Sequence, residues 1–157
     1  MLKRVKTKTP RAAGCRFAIV ASRYNPRYVD AMLRAARKEL QDAGADEVRV
    51  VRVPGAFEVP VVAARLARQG LTPWDAVICL GLILRGATVH AEHIGRGVSD
   101  ALVQLQLETE VPMVHEVLLL ENEDQARERC LDPQRNRGRE AAQTAIEMAR
   151  TMRALRR

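Results

Sequence analysis

Hydrophobic and polar positions along this chain switch repeatedly between a period of two and a helical period, and that alternation predicts strands interleaved with helices. Arg16 to Ala21 is a short apolar run of strand type, and after Asn25-Pro26 the residues Tyr28, Met32, Ala36 and Leu40 recur at helical spacing until Ala43-Gly44 ends the helix. Glu47 to Val53 sets Val48, Val50, Val51 and Val53 among charges, which predicts a strand closed by Pro54-Gly55. A helix from Phe57 to Arg68 follows, and its Pro60 fits only near the first turn, where a missing N–H costs little. Beyond the Gly70 to Pro73 turn, Asp75 to Leu84 reads as a buried strand, and Ile94, Val98, Ala101, Leu102 and Leu105 mark the next helix. Val111 to Leu119 is the fourth strand. Asn122 is placed to cap a short helix through Arg129, and Asp132-Pro133 breaks the chain before a last helix from Arg137 to Leu155. That helix puts Ala141, Ala145, Met148, Ala149 and Met152 on one stripe.

Strands separated by helices imply right-handed crossovers and a parallel sheet covered on both faces. The expected fold is therefore α/β, a three-layer sandwich around a four-stranded parallel sheet. Residues 14–157 make a single domain behind a basic N-terminal arm, residues 1–13, which carries Pro10. Composition supports this without adding a second unit: 157 residues with 47% hydrophobic content suffice for one core. Apolar runs such as Val111 to Leu120 fall short of the roughly 20 residues that span a bilayer, and no signal-peptide core follows the N-terminus, so a cytoplasmic protein without membrane partners is expected. Cys15, Cys79 and Cys130 are odd in number and far apart, which favours neither a disulfide framework nor a zinc site. The net charge of +7 gathers at the two ends, and aromatic residues are only 3% of the chain, so no stacking platform for nucleic acid is present.

Chemistry is expected where an open parallel sheet binds ligands, outside the carboxyl ends of its strands. Four segments should meet there: Ser22 to Asn25, Pro54 to Glu58, Arg85 to His90, and the stretch after Leu119. The Tyr24 ring can stack on a planar heterocycle or pack on the helix below it. Glu58, three residues after Gly55, can cap the helix start or hold a substrate hydroxyl. Arg85-Gly86-Ala87-Thr88 reads as the opening of a helix, where free N–H groups favour an anion and Thr88 adds a donor. His90 can exchange protons near neutrality or simply sit on the surface. His90 and His93 share a helix face at i, i+3, with His115 elsewhere, but no carboxylate completes a ligand set and no metal is expected. Dinucleotide, Walker and nucleophile-elbow motifs are absent from the sequence.

In order along the chain, Ser22-Arg23-Tyr24-Asn25, Val53 to Pro60, Gly81 to His90 with Arg-Gly-Ala-Thr-Val-His, and Asn136-Arg137-Gly138 before Ala141-Ala142 resemble the lumazine synthase family. The resemblance runs from Arg16 to Leu155. It implies a flavodoxin-like fold and the condensation of 5-amino-6-(D-ribitylamino)uracil with 3,4-dihydroxy-2-butanone 4-phosphate, losing phosphate and water, with no cofactor. It implies that Tyr24 stacks on the pyrimidine, that Ala56, Phe57 and Glu58 border the ribityl chain, and that Leu82, Ile83 and Leu84 offer backbone groups to the ring edge. Gly86, Ala87 and Thr88 would face the phosphate, His90 would transfer protons, and His115 would stand where the family carries a pocket aromatic. Arg129 would bind phosphate and Arg137 would replace a family lysine, both reaching the site of a neighbouring subunit in a pentamer or a multiple of pentamers. Riboflavin synthase is a candidate partner. A shell-forming scaffold with weak or no catalysis, or a flavin-binding protein without turnover, are the competing readings.

Overall fold

The computed structural model describes residues 11–156. Its elements are β1 (Arg16–Ser22), α1 (Pro26–Asp42), β2 (Glu47–Val53), a 3-10 turn (Ala56–Glu58) leading into α2 (Val59–Arg68), β3 (Ala76–Leu84), α3 (His90–Thr109), β4 (Met113–Leu120), α4 (Glu123–Ala126) running into a π-helical turn (Arg127–Leu131), and α5 (Arg137–Leu155). All four strands are parallel, in the order β2-β1-β3-β4. A parallel sheet needs a crossover after every strand, and each crossover here carries a helix.

Side chains alternate across the pleat, so each strand feeds two cores. Phe17, Ile19, Ile78 and Leu80 meet α1 and α5 on one face, whereas Ala18, Val20, Val77 and Cys79 meet α2 and α3 on the other. The central strand β3 is buried through its first seven residues, which is why Asp75 to Leu84 reads as an uninterrupted apolar run. Pro60 occupies the first turn of α2, as its missing donor requires. Asn122 caps α4 by accepting from the Gln125 N–H at 3.0 Å.

The last helix departs from its expected stripe. Met148 and Met152 are only half-buried, and the face that packs is Gly138, Ala141, Ala142, Ala145, Ile146 and Ala149. Small residues there let α5 lie close against α1, and at Gly138 a Cβ would fall onto the Met32 carbonyl. Most of the expected arm lies outside the described residues. At its described end Ala12 is fully buried, and its N–H donates to the Ala43 carbonyl at 2.8 Å. Nearby, Arg153 of α5 holds both oxygens of Asp75 at 2.8 and 2.9 Å, and Asp75 also accepts from the Arg16 N–H at 2.8 Å, so the C-terminal helix is tied to the start of the sheet. Among the described residues no helix is long and apolar enough to cross a membrane.

Candidate active site

The chain leaves β1 toward one face of the sheet, into α1, and leaves β3 toward the other, into α3. Where neighbouring strands diverge in this way their outgoing loops separate and open a crevice. A cleft of about 660 Å³ lies there, with walls from the β1–α1 loop (Tyr24, Asn25), the turn after β2 (Gly55, Ala56, Phe57, Glu58), the end of β3 (Leu82, Ile83, Leu84) and the start of α3 (His90, His93, Ile94).

Its floor follows from strand lengths. The ladder from β3 to β1 stops at the Ala21 and Leu80 pair, but the ladder to β4 continues to Leu84. Beyond Leu80, therefore, one backbone edge of β3 faces the cleft instead of a strand. Asn25 Nδ2 donates to the Leu82 carbonyl at 2.9 Å across this gap, and Asn25 takes the left-handed conformation (φ 57°) that its short polar side chain tolerates better than most. Arg52 steadies the same loop by donating to the Ser22 carbonyl at 2.9 Å.

Two rings flank the opening, Tyr24 at 65% and Phe57 at 67% exposure. Tyr24 lies over Gly55 so closely that a Cβ at that glycine would come within 2.8 Å of the ring. Glu58 resolves the choice between capping and ligand binding by having two oxygens: Oε2 accepts from the Gly55 N–H at 2.9 Å, and Oε1 makes no hydrogen bond among the described residues. Capping thus leaves one carboxylate oxygen for a hydroxyl.

On the opposite wall, α3 begins at His90 and not at Arg85. Gly86, Thr88 and Val89 are weak helix formers, and the chain needs a loop to turn off the sheet. Gly86, Ala87 and Thr88 consequently form an exposed approach to the helix, with Thr88 Oγ1 accepting from the His90 N–H at 3.4 Å. The positive end of the helix dipole lies at this corner, although the N–H groups of His90, Glu92 and His93 are already taken by Thr88 Oγ1 and the Val89 carbonyl. Arg85 is not simply solvated, since it pairs with Glu92 of α3 and, at 3.1 Å, with Glu121 after β4. His90 is exposed, and His93 lies one turn further along the same wall.

Gly86, Ala87 and Thr88 do not line the cleft itself, and neither do three further sequence candidates, His115, Arg129 and Arg137. His115 sits on β4, an outer strand of the sheet, with its ring against α3: Nδ1 accepts from the Val117 N–H at 3.1 Å, so Nε2 carries the proton and donates to Ser99 Oγ at 2.7 Å. Ser99 passes its own proton to the Gly95 carbonyl at 2.9 Å, which leaves this Ser–His contact no nucleophilic character. Burial holds the His115 pKa below the usual imidazole value. Arg137, the first residue of α5, grips Glu116 of β4 at 3.1 and 3.0 Å and Glu140 at 2.8 Å. Burial pushes the Glu116 pKa up despite that partner. Arg129 projects from the π-helical turn, exposed and without an ion pair among the described residues.

Sequence reasoning did not assign His93 or Ile94 to the cleft, and it placed Asn25 and Gly55 there only as parts of the segments Ser22 to Asn25 and Pro54 to Glu58. Asn25 was given no role of its own, although its short polar side chain tolerates the left-handed conformation it takes here. His93 carried a signal, its i, i+3 relation to His90, but was weighed as a metal ligand and as a replacement of a family aromatic, not as a cleft residue. Among the described residues no group of three or more His, Cys, Asp or Glu is placed to hold a metal ion.

A family profile described as 6,7-dimethyl-8-ribityllumazine synthase matches residues 14–153. Proteins of that same name are similar to this chain over most of their lengths. The one from Salinibacter ruber is 44% identical over 141 residues, covering 88% of this chain and 89% of its own. That of Mycolicibacterium paratuberculosis is 42% identical over 147 residues, covering 92% and 89%. In Xanthomonas oryzae pv. oryzae the relative is 40% identical over 142 residues, covering 89% and 91%.

Proposed function

This chain belongs to the 6,7-dimethyl-8-ribityllumazine synthase family, and from that premise we propose that its cleft condenses 5-amino-6-(D-ribitylamino)uracil with 3,4-dihydroxy-2-butanone 4-phosphate to 6,7-dimethyl-8-ribityllumazine, releasing phosphate and water. The single observation that carries the reading onto these residues is the composition of the cleft at the divergence of β1 and β3. It combines a strand edge left uncovered by β1, exposed rings, a carboxylate oxygen and the imidazoles of His90 and His93.

The nucleophile is the substrate's own amine, so the protein supplies alignment and proton movement in place of an activated side chain. Tyr24 stacks on the pyrimidine, whose edge reads the backbone of Leu82 to Leu84. Ala56, Phe57 and the unspent oxygen of Glu58 take the ribityl chain. His90, beside the helix N-terminus, moves protons during Schiff-base formation and phosphate elimination, with the phosphate near Gly86, Ala87 and Thr88. Arg129 neutralises that phosphate by charge-assisted hydrogen bonds.

Because Arg129, Arg137 and His115 do not line the cleft of their own chain, the complete site takes Arg129 from a neighbour. The working species is a homo-oligomer, a pentamer or a multiple of it, in the cytoplasm, with riboflavin synthase as the partner that uses its product. The test mixes the two substrates with purified protein and follows lumazine absorbance. Turnover well above the spontaneous condensation supports the assignment, whereas assembled particles with no excess rate would mark a scaffold instead. His90→Ala lowers turnover by about 10- to 100-fold, less than the typical general acid–base factor of about 10²–10⁴, because the amine is already reactive. A variant with the parent's rate across pH 6 to 8, a window of about one unit around neutrality, removes His90 from the mechanism.

A further inference from the structure

Between β4 and α5 the chain takes a detour through α4 and its π-helical turn, and Arg129 hangs on that detour. The return end is pinned inside the protomer. Asn136 caps α5 by accepting from the N–H groups of Gly138 at 2.8 Å and Arg139 at 3.3 Å, while its Nδ2 donates to the carbonyl of Cys130, the residue after Arg129. Next along, Arg137 lays Nε and Nη2 on the two oxygens of Glu116 at 3.1 and 3.0 Å and Nη1 on Glu140 at 2.8 Å. Glu116 is only 7% exposed. Every guanidinium nitrogen is therefore engaged, one cation against two carboxylates, and the cluster has no positive charge to spare for an anion. Arg129 faces solvent and makes no ion pair among the described residues.

Resting on the functional reading above, we propose that Arg137 is a positioning residue and not a phosphate ligand. It clasps β4 to the start of α5, and so fixes both ends of the segment that presents Arg129. Arg127 pairs with Glu123 and Asp124 and Arg135 with Glu128, so Arg129 is the cation of this segment that is offered to the butanone phosphate. A bidentate arginine suits the task because its planar fork fixes direction as well as distance, which a lysine ammonium does not. Losing the clasp lets Arg129 drift, and a small misplacement of a binding group is enough to weaken its grip on the anion.

The experiment measures KM for both substrates in the assembled enzyme, for the parent, Arg129→Ala, Arg137→Met, the two combined, and Glu116→Gln. Arg137→Met alone raises KM for the butanone phosphate about 3- to 10-fold and leaves KM for the pyrimidine within about twofold. Added to Arg129→Ala it changes KM for the phosphate substrate by less than about twofold, because residues acting through one contact are not additive. Glu116→Gln loosens the clasp but keeps the guanidinium, and KM for the phosphate substrate rises. A direct ligand gives the opposite pattern: multiplying effects in the double variant, and a lower KM in Glu116→Gln as the freed guanidinium reaches the anion. Either result overturns the inference, as does an Arg137→Met enzyme identical to the parent. Should Arg137→Met not fold with Glu116 left unpaired, Glu116→Gln combined with Arg137→Gln, neutral on both sides, carries the same comparison. A parent that makes no lumazine above the spontaneous rate defeats the functional reading itself, whereas a working parent with multiplying effects defeats this inference alone.

Discussion

Gly55 decides how low the Tyr24 ring can lie. Its φ of −132° is open to any residue, so the glycine is needed for room and not for backbone freedom. Gly55→Ala forces the ring outward, since a Cβ would meet it at 2.8 Å. If Tyr24 stacks on the pyrimidine, a contact worth about 0.5–1.5 kcal/mol, KM for that substrate rises about 2- to 12-fold and KM for the butanone phosphate stays put. Equal rises in both would remove Tyr24 from the stacking role. His115 makes a different prediction, about stability. Burial depresses its pKa in the folded chain, so above the unfolded value of about 6.5 both states are neutral and nothing is lost. As pH falls through that value the unfolded chain takes up a proton that the folded ring resists, and stability drops until the folded pKa is reached. Urea midpoints at pH 7.5 and at pH 5.5, about one unit to each side of that value, should differ less in His115→Phe than in the parent. Identical losses would show that the acid sensitivity lies elsewhere.

Among the elements, the contact between α1 and α5 is the most exacting. A Cβ at Gly138 strikes backbone, the Met32 carbonyl, and no rotamer change can relieve that. Gly138→Ala should cost at least about 3 kcal/mol. That corresponds to a fall in Tm of about 6–12 °C for a chain of this size. Gly97, exposed on α3 with nothing within 4 Å of a Cβ, is the control: Gly97→Ala should hold or slightly raise Tm because alanine favours the helix. Differential scanning calorimetry separates the two, and similar Tm values would refute the close-packing argument. Element types were legible because β3 is apolar on both faces and α1 on one. Their ends were less so: α3 starts five residues after Arg85, because a loop rich in weak helix formers shares the anion-cradle appearance of a helix start. The π-helical turn that carries Arg129 left no periodic signal, since a single wide turn is too short to have one.

For the whole molecule, the cleft and the exposed Arg129 stand at different places on the single chain. Among the described residues the cleft is lined by rings and imidazoles but by no arginine, and Arg129 stands outside it. An assembly that brings one chain's Arg129 to another's cleft predicts that activity falls on dilution below the dissociation range. Light scattering should then give a pentamer's mass, or a multiple, wherever the enzyme is active; full activity in a species of one chain's mass would exclude a shared site. The order of motifs and the alternation of periods were enough to establish the parallel sandwich and the family, because both are properties of residue order. Burial was read less well: Met148 and Met152 look like core residues but are half-exposed, as close approach of two helices selects small side chains over long ones. Which oxygen of Glu58 remains unspent, which nitrogen of His115 carries the proton, and that Arg137 is held by Glu116 were decided only in three dimensions. Each depends on a partner brought near by folding, and no spacing along the chain records how a hydrogen-bonding group distributes its few donors and acceptors among neighbours distant in sequence.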